Sequence, residues 1–285
     1  MNRFQSLKNK KRERISYGIC FFVLILLLIS IIMLILYFTK SQRIHKTSKI
    51  IHTEIIEANP DIVIENNRIQ KAGSRILDVA YIDQRIKFPN GCESVAAVMV
   101  LQYWGVDINA NTFISKYLDM GQSPYIDENG NRVGCDPYKE FPGDPRLSTG
   151  WGCYPPVIIN ALDKFVDKSR YTVKDIYDIS LPALCEMYVN YNIPVIIWAT
   201  IDMKEPTTGI SWSVIGEKKT VTWINPLHCV VLVGYDETYY YFNDSLNTKQ
   251  CKYRKEDVEI AYKGLGCQAI VIYPNAILLN NNAIL

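Results

Sequence analysis

The sequence predicts an α+β domain, helical in its first half and closed by an antiparallel sheet, behind one transmembrane helix. Three observations predict it. Tyr17 to Phe38, "YGICFFVLILLLISIIMLILYF", runs 22 residues without a charge. Between Val95 and Tyr191 the apolar stretches are long and bounded by helix starts and stops. From Pro194 to Tyr273 they become short runs rich in Val, Ile and aromatics. Helices first and strands second, without regular alternation, argue for α+β rather than a doubly wound sheet.

The N-terminus sets the compartment. Residues 1–16 form a basic segment, and residues 17–38 are long enough to cross a bilayer core of ~30 Å at 1.5 Å per residue. A secretory signal has a shorter apolar core and a small-residue cleavage site, and none follows Phe38. An uncleaved signal anchor is therefore expected. Arg3, Lys8, Lys10, Lys11, Arg12 and Arg14 precede the span, against Lys40, Arg43, Lys46 and Lys49 after it. The excess keeps the N-terminus in the cytoplasm, so the rest of the chain is expected outside, on the cell membrane. Residues 39–75 read as an extracellular stalk, 76–275 as the body and 276–285 as an Asn-rich tail.

Within the body, Val95–Trp104 reads as a helix that stops at Gly105. Pro155–Val166 and Leu181–Tyr191 read as two more, the first with proline in its opening turn. Strands are expected at Pro194–Ile201, Thr220–Asn225, His228–Tyr235, Thr238–Asp244 and Cys267–Tyr273. Between the halves, Met120–Tyr154 is a connection rich in Gly, Pro and Asp, of a length that is usually functional or disordered. Its "DENGN" (Asp127–Asn131) resembles a calcium loop only in part: Arg132 stands where the loop needs glycine and Tyr138 where it needs glutamate. A solvated turn is expected there. Tyr125, Tyr138, Phe141, Trp151 and Tyr154 either line a cleft or pin this connection to the core.

Composition removes several functions. A net charge of +2 with no basic stripe gives no nucleic-acid partner. Of three histidines, His45 and His52 lie in the stalk, so a mechanism in the body that needs histidine must use His228. Zinc sites built on several histidines are excluded, no CxxC pair occurs, and no metal or cofactor is expected. Of eight cysteines, Cys20 is in the span and seven lie outside, where disulfides are permitted and an odd count leaves one thiol over.

His228 opens one strand and Asp244 closes the next. With a three-residue hairpin loop the two are directly opposite, and the carboxylate can fix the imidazole tautomer. With a loop of two or four residues Asn243 takes that place. The bland alternative is a strand-end histidine that fills space. Among the thiols, Cys229 is turned from His228 by strand alternation. Cys251 with Cys267, and Cys135 with Cys153, bracket segments that they could staple, and Cys185 reads as core. Cys92 differs: it follows Pro89-Asn90-Gly91 and starts a helix, whose amides and dipole lower a thiol pKa. Glu93 falls in the first helical turn. A buried, inert cysteine remains the alternative. Gln84, eight residues upstream, carries an amide that could join the Cys92 N–H in holding an oxyanion.

Gln84, then "GCESVAAVMVLQYWG", then "HCVVLVGYDETYYYFND" resembles the papain-like cysteine peptidases. More narrowly the chain is similar to the stand-alone bacterial branch related to the double-glycine peptidases of bacteriocin leaders, over roughly Ile76 to Tyr273. "FPGDPRLSTGWGCYPPVI" resembles a segment of that branch. The resemblance implies a papain-like fold, with Cys92 as nucleophile, His228 as base, Asp244 as orienter and Gln84 as oxyanion donor. It implies a peptide or protein substrate. The chain lacks an ABC-transporter region, so cleavage coupled to export is not implied. Cys135 and Cys153 are extra to the pattern and suggest a local disulfide. A membrane-anchored, outward-facing peptidase is the leading expectation. Acyl transfer or cell-wall amidase chemistry on the same fold, and an inert surface binding domain, stand beside it.

Overall fold

The computed structural model describes residues 74–276. The expected anchor at 17–38 and basic segment lie outside the described residues, as do all but the ends of the expected stalk and tail. Among the described residues no helix is long and apolar enough to cross a membrane.

In chain order the elements are β1 (Arg75–Ile76), α1 (Cys92–Tyr103), α2 (Ala110–Tyr117), β2 (Met120–Gly121), β3 (Tyr125–Ile126), β4 (Arg132–Gly134) and β5 (Phe141–Pro142). They continue with α3 (Pro155–Phe165), β6 (Tyr171–Tyr177), α4 (Leu181–Met187), β7 (Val195–Thr200), β8 (Thr207–Val214) and β9 (Thr220–Asn225). The last are β10 (Leu227–Tyr235), β11 (Tyr239–Asn243), β12 (Cys251–Arg254), α5 (Lys255–Gly264) and β13 (Gln268–Pro274). The α+β class holds, with helices concentrated early and strands late.

α1 organises the domain. Every residue from Cys92 to Leu101 is buried. A helix with no polar side must be enclosed. β7 and β10, α2 and α3 pack around it. It ends as expected: Gly105 has φ +76, its N–H reaches Gln102 O, and Val106 N–H reaches Leu101 O, a Schellman closure.

The main sheet runs β12-β11-β10-β7-β13-β6, all pairs antiparallel, with β1 continuing the β7 edge of β10. β7 is buried at every residue and β10 from His228 to Gly234, so both faces of the sheet centre are covered. β3, β4, β8 and β9 form a second, four-stranded sheet.

The Met120–Tyr154 connection contributes four short strands, β2 to β5, to the sheets. β2 pairs parallel with β5, and β4 pairs parallel with β8. The "DENGN" turn joins β3 to β4, and Asp127 Oδ1 accepts from the N–H groups of Asn129 (3.0 Å) and Asn131 (2.8 Å). Of the aromatics in this connection, Phe141 and Tyr154 are buried in the core and Tyr125 is exposed.

α2, β6, β8, β12 and α5 had no expectation in the sequence. β6 and β12 are the two edges of the main sheet, which solvent keeps half polar, so they lack a continuous apolar run.

Gly234 marks a tight contact. A Cβ there would lie 2.2 Å from the Arg75 carbonyl oxygen. Gly234→Ala is expected to push β1 off β10 and cost about 1–3 kcal/mol. The measurement is a lower urea midpoint at unchanged slope.

Candidate active site

Cys92 begins α1 directly after Gly91. The turn before it is tied at several points: Gly91 N–H to Phe88 O (2.9 Å), Asn90 N–H to Pro145 O (3.1 Å) and Asn90 Nδ2 to Leu147 O (2.8 Å). The thiol is buried, and its hydrogen bond goes to Glu93 Oε2 at 3.3 Å. The amides at the helix start were expected to lower its pKa. The opposite holds. Burial pushes the thiol well up, the Glu93 charge and hydrogen bond add to this, and the N–H groups of Cys229 and Glu93 offset only part.

His228 Nε2 and Asp244 Oδ1 are 2.7 Å apart, both side chains buried. They are not directly opposite. The hairpin closes through Asp236 and Tyr239, then shifts register between Leu232 and Gly234, so Asn243 pairs with Val231. Continued by one step, that register sets Asp244 across from Val230, and His228 is its diagonal neighbour on the same face, within reach of a carboxylate. Asn243 points the other way and donates to the carbonyls of Val79 (3.0 Å) and Ala80 (2.9 Å). Asp244 is further held by Tyr253 Oη (2.8 Å) and the Leu246 N–H (2.9 Å). Burial alone would raise its pKa, but the hydrogen bond and charge of His228, then Tyr253 and the Leu246 N–H, bring it below the ordinary value. Nε2 is the ring nitrogen engaged by the carboxylate.

Gln84 is buried and links the cysteine turn to the aspartate turn. Its N–H donates to Ser245 O (3.1 Å), its Oε1 accepts from Ser245 Oγ, and its Nε2 donates to Pro89 O at 3.1 Å. One amide hydrogen on Nε2 is thereby used and one remains.

Glu93, given no more than a place in the first helical turn by the sequence, is fully buried beside Cys92. Its Oε1 accepts the Cys153 N–H at 2.7 Å. The Cys153 carbonyl in turn accepts Trp198 Nε1 at 2.7 Å, which ties this segment to β7. A Cβ on Gly152 would lie 2.8 Å from Glu93 Oε1 and 3.3 Å from the Trp223 ring, so glycine is what lets the chain pass. Burial pushes the carboxyl up to about 7, against the pull of the Cys153 N–H, its own N–H, the Cys92 thiol and the charge of His228. The sequence signal was a carboxylate next to a helix-start cysteine. Its burial depended on packing from three separate segments.

The suspected disulfides are not formed. All seven described cysteines are free thiols. Cys251 on β12 and Cys267 just before β13 are separated by four strand spacings, roughly 19 Å, far beyond the ~7 Å limit between bridged Cα atoms. Cys135 directs its thiol to Glu140 O at 3.9 Å. Counting an odd cysteine therefore does not single out Cys92. Cys229, which strand alternation turns from His228, has a buried thiol pushed up by burial first and then by Cys92, Glu93 and Cys153.

Trp151, Trp212 and Trp223 cluster beside Gly152 with ring centroids 5.5–6.0 Å apart, and Tyr154 stacks on Tyr138 at 4.2 Å. Among the described residues no group of three or more His, Cys, Asp or Glu is arranged to hold a metal.

The chain matches the model of the Peptidase_C39 like family over residues 76–270. It is 26% identical over 220 residues to the uncharacterized protein YvpB of Bacillus subtilis (strain 168), covering 76% of this chain and 84% of that protein. Its fold is similar to the crystal structure of a Bacillus anthracis protein described as a C39-like peptidase, with 25% identity and a TM-score of 0.57 over 70% of this chain and 97% of that one. It is more distantly similar to the peptidase domain of Streptococcus ComA, a bi-functional ABC transporter of a quorum-sensing pathway. There the identity is 13% and the TM-score 0.36, over 66% of this chain and 97% of that one.

The raised Glu93 pKa has a stability consequence. The folded state keeps this proton up to about pH 7, whereas the unfolded chain loses it near 4.5. Stability is therefore lost as pH rises through that window. Glu93→Gln removes the penalty. Its stability relative to the parent is expected to rise between pH 4.5 and pH 8, by about 3 kcal/mol in all. Denaturant melts at both ends of the range measure this.

Proposed function

The chain belongs to the Peptidase_C39 like family, and from that premise we propose that it is a cysteine peptidase in which Cys92, His228 and Asp244 carry the chemistry. The observation that carries the reading is the buried His228–Asp244 pair at 2.7 Å, with His228 on β10, which packs against the helix that begins with Cys92.

In the proposed reaction His228 Nδ1 takes the Cys92 proton and the sulfur attacks the amide carbonyl. Asp244 holds Nε2 and stabilises the imidazolium. The developing oxyanion is placed against the Cys92 N–H and the remaining Gln84 amide hydrogen. The imidazolium then protonates the leaving amine as the C–N bond breaks. Water, deprotonated by His228, attacks the thioester, releasing the free acid and restoring the thiol.

We further propose that residues 17–38 anchor the enzyme in the cell membrane with the catalytic domain outside. The uncharged run and the basic excess before it support this. A protease added to intact cells is expected to remove the domain. Protection of the domain in intact cells, with cleavage after lysis, overturns the orientation.

One observation favours a second reading, a non-catalytic domain on the same scaffold: the thiol is buried and its pKa is raised. Activity on a peptide library, followed by mass, separates the two. Cys92→Ala is expected to lower amide hydrolysis by about 10³-fold or more, and Asp244→Ala to lower kcat by about 10²-fold or more, each with the melting transition retained. Free-acid products support hydrolysis, and new amides mark acyl transfer. A Cys92→Ala variant that cleaves at the parental rate removes Cys92 from the mechanism.

A further inference from the structure

Glu93 has no part in the reaction drawn above, yet its carboxylate is hydrogen-bonded to the nucleophile. Its Oε2 accepts the Cys92 S–H at 3.3 Å, and its Oε1 is held by the Cys153 N–H at 2.7 Å. The carboxylate is fully buried, and the Gly152 backbone passes so close that a Cβ there would lie 2.8 Å from Oε1. The geometry points to Glu93 as a positioning residue that keeps Cys92 a protonated, resting thiol and sets the pH at which that thiol becomes nucleophilic. This rests on the reading of Cys92 as the nucleophile.

The physical argument is one of charge at close range. A thiolate at Cys92 and a carboxylate at Glu93 would be two anions in contact inside a dry site, where repulsion is little screened. While Glu93 is ionised, the proton is better left on sulfur, bridging the two groups. When Glu93 is neutral the repulsion is gone, and its O–H can donate to the thiolate. The surrounding groups do not cancel this effect. From β10, the charge of His228 pulls the Glu93 carboxyl down in small part, and Asp244 is hydrogen-bonded to that imidazole. The Cys229 and Glu93 N–H groups face the sulfur, and both favour the thiolate. The thiols of Cys153 and Cys229 and the Tyr154 phenol are pushed up by burial and, in lesser part, by Glu93 itself, so they stay neutral near pH 7. The anion beside Cys92 is Glu93.

The test follows alkylation of Cys92 by iodoacetamide across pH 5–10, resolved from the other cysteines by peptide mass. The thiolate attacks the methylene carbon, the C–S bond forms, iodide leaves, and the thiol proton goes to buffer. Glu93→Gln keeps the shape and an acceptor for the Cys153 N–H but removes the charge. Its alkylation midpoint is expected about 1 pH unit or more below the parent's. Glu93→Asp keeps the charge and is expected to stay within about half a unit of the parent. An unchanged midpoint in the Gln variant overturns the proposal. So does a midpoint that rises, which would make Glu93 the base that activates the thiol. An equal drop in the Asp variant also overturns it, because shape rather than charge would then be the cause. No peptide substrate is involved, so failure of peptidase activity in the parent leaves this result standing on its own.

Discussion

The domain depends on one constraint: α1 has no polar side and must be enclosed. A helix on the surface of a domain can present its N-terminal turn to water. α1 cannot, because sheet and helices close over it from Cys92 to Leu101. Whatever chemistry sits at its head is done in a desolvated place. The dipole of a helix start is worth about 1–2 kcal/mol to a nearby anion at best. Full burial shifts a titratable group by up to several pKa units, and each unit is 1.36 kcal/mol. Burial therefore wins at Cys92 and Glu93, and both hold their protons more tightly than free side chains do.

The sheet supplies the other half of the site through its period of two. Asn243 and Asp244 are neighbours in sequence and do unrelated work. One turns back to tie down the carbonyls of Val79 and Ala80, and the other turns to His228. The register shift between Leu232 and Gly234 decides which residue faces the imidazole. Ser245, next along, reaches Gln84 and so couples the aspartate turn to the cysteine turn. Three consecutive residues at the end of one strand thus brace three different segments, and a one-residue slip would redirect all of them.

Legibility followed the strength of local pattern. α1 and α3 were readable from long apolar stretches, and β7, β9, β10 and β13 from short runs rich in Val, Ile and aromatics between turn residues. β6 and β12 were not, since an edge strand buries too little to leave a run. The "HCVVLVGYDETYYYFND" hairpin brought His228 and Asp244 together as a pair but at a diagonal, because a bulge leaves no mark that spacing alone can count. Pairing Cys251 with Cys267 was plausible along the chain and fails in space, because four strand spacings of the sheet separate them. Glu93 was visible as a residue and invisible as a buried group.

From the sequence alone came the class of the domain, the order of its main elements, the single histidine available for chemistry in the body, and the helix-start cysteine. These are local or compositional properties: periodicity, turn chemistry and residue counts survive without knowing who packs on whom. Only the tertiary structure decided that Asp244 rather than Asn243 meets His228, that no disulfide forms among the described cysteines, and that Cys92 shares its proton with Glu93. Each of those depends on the register of one strand against another, or on how much water the fold excludes. Both are set by contacts between residues far apart in the chain.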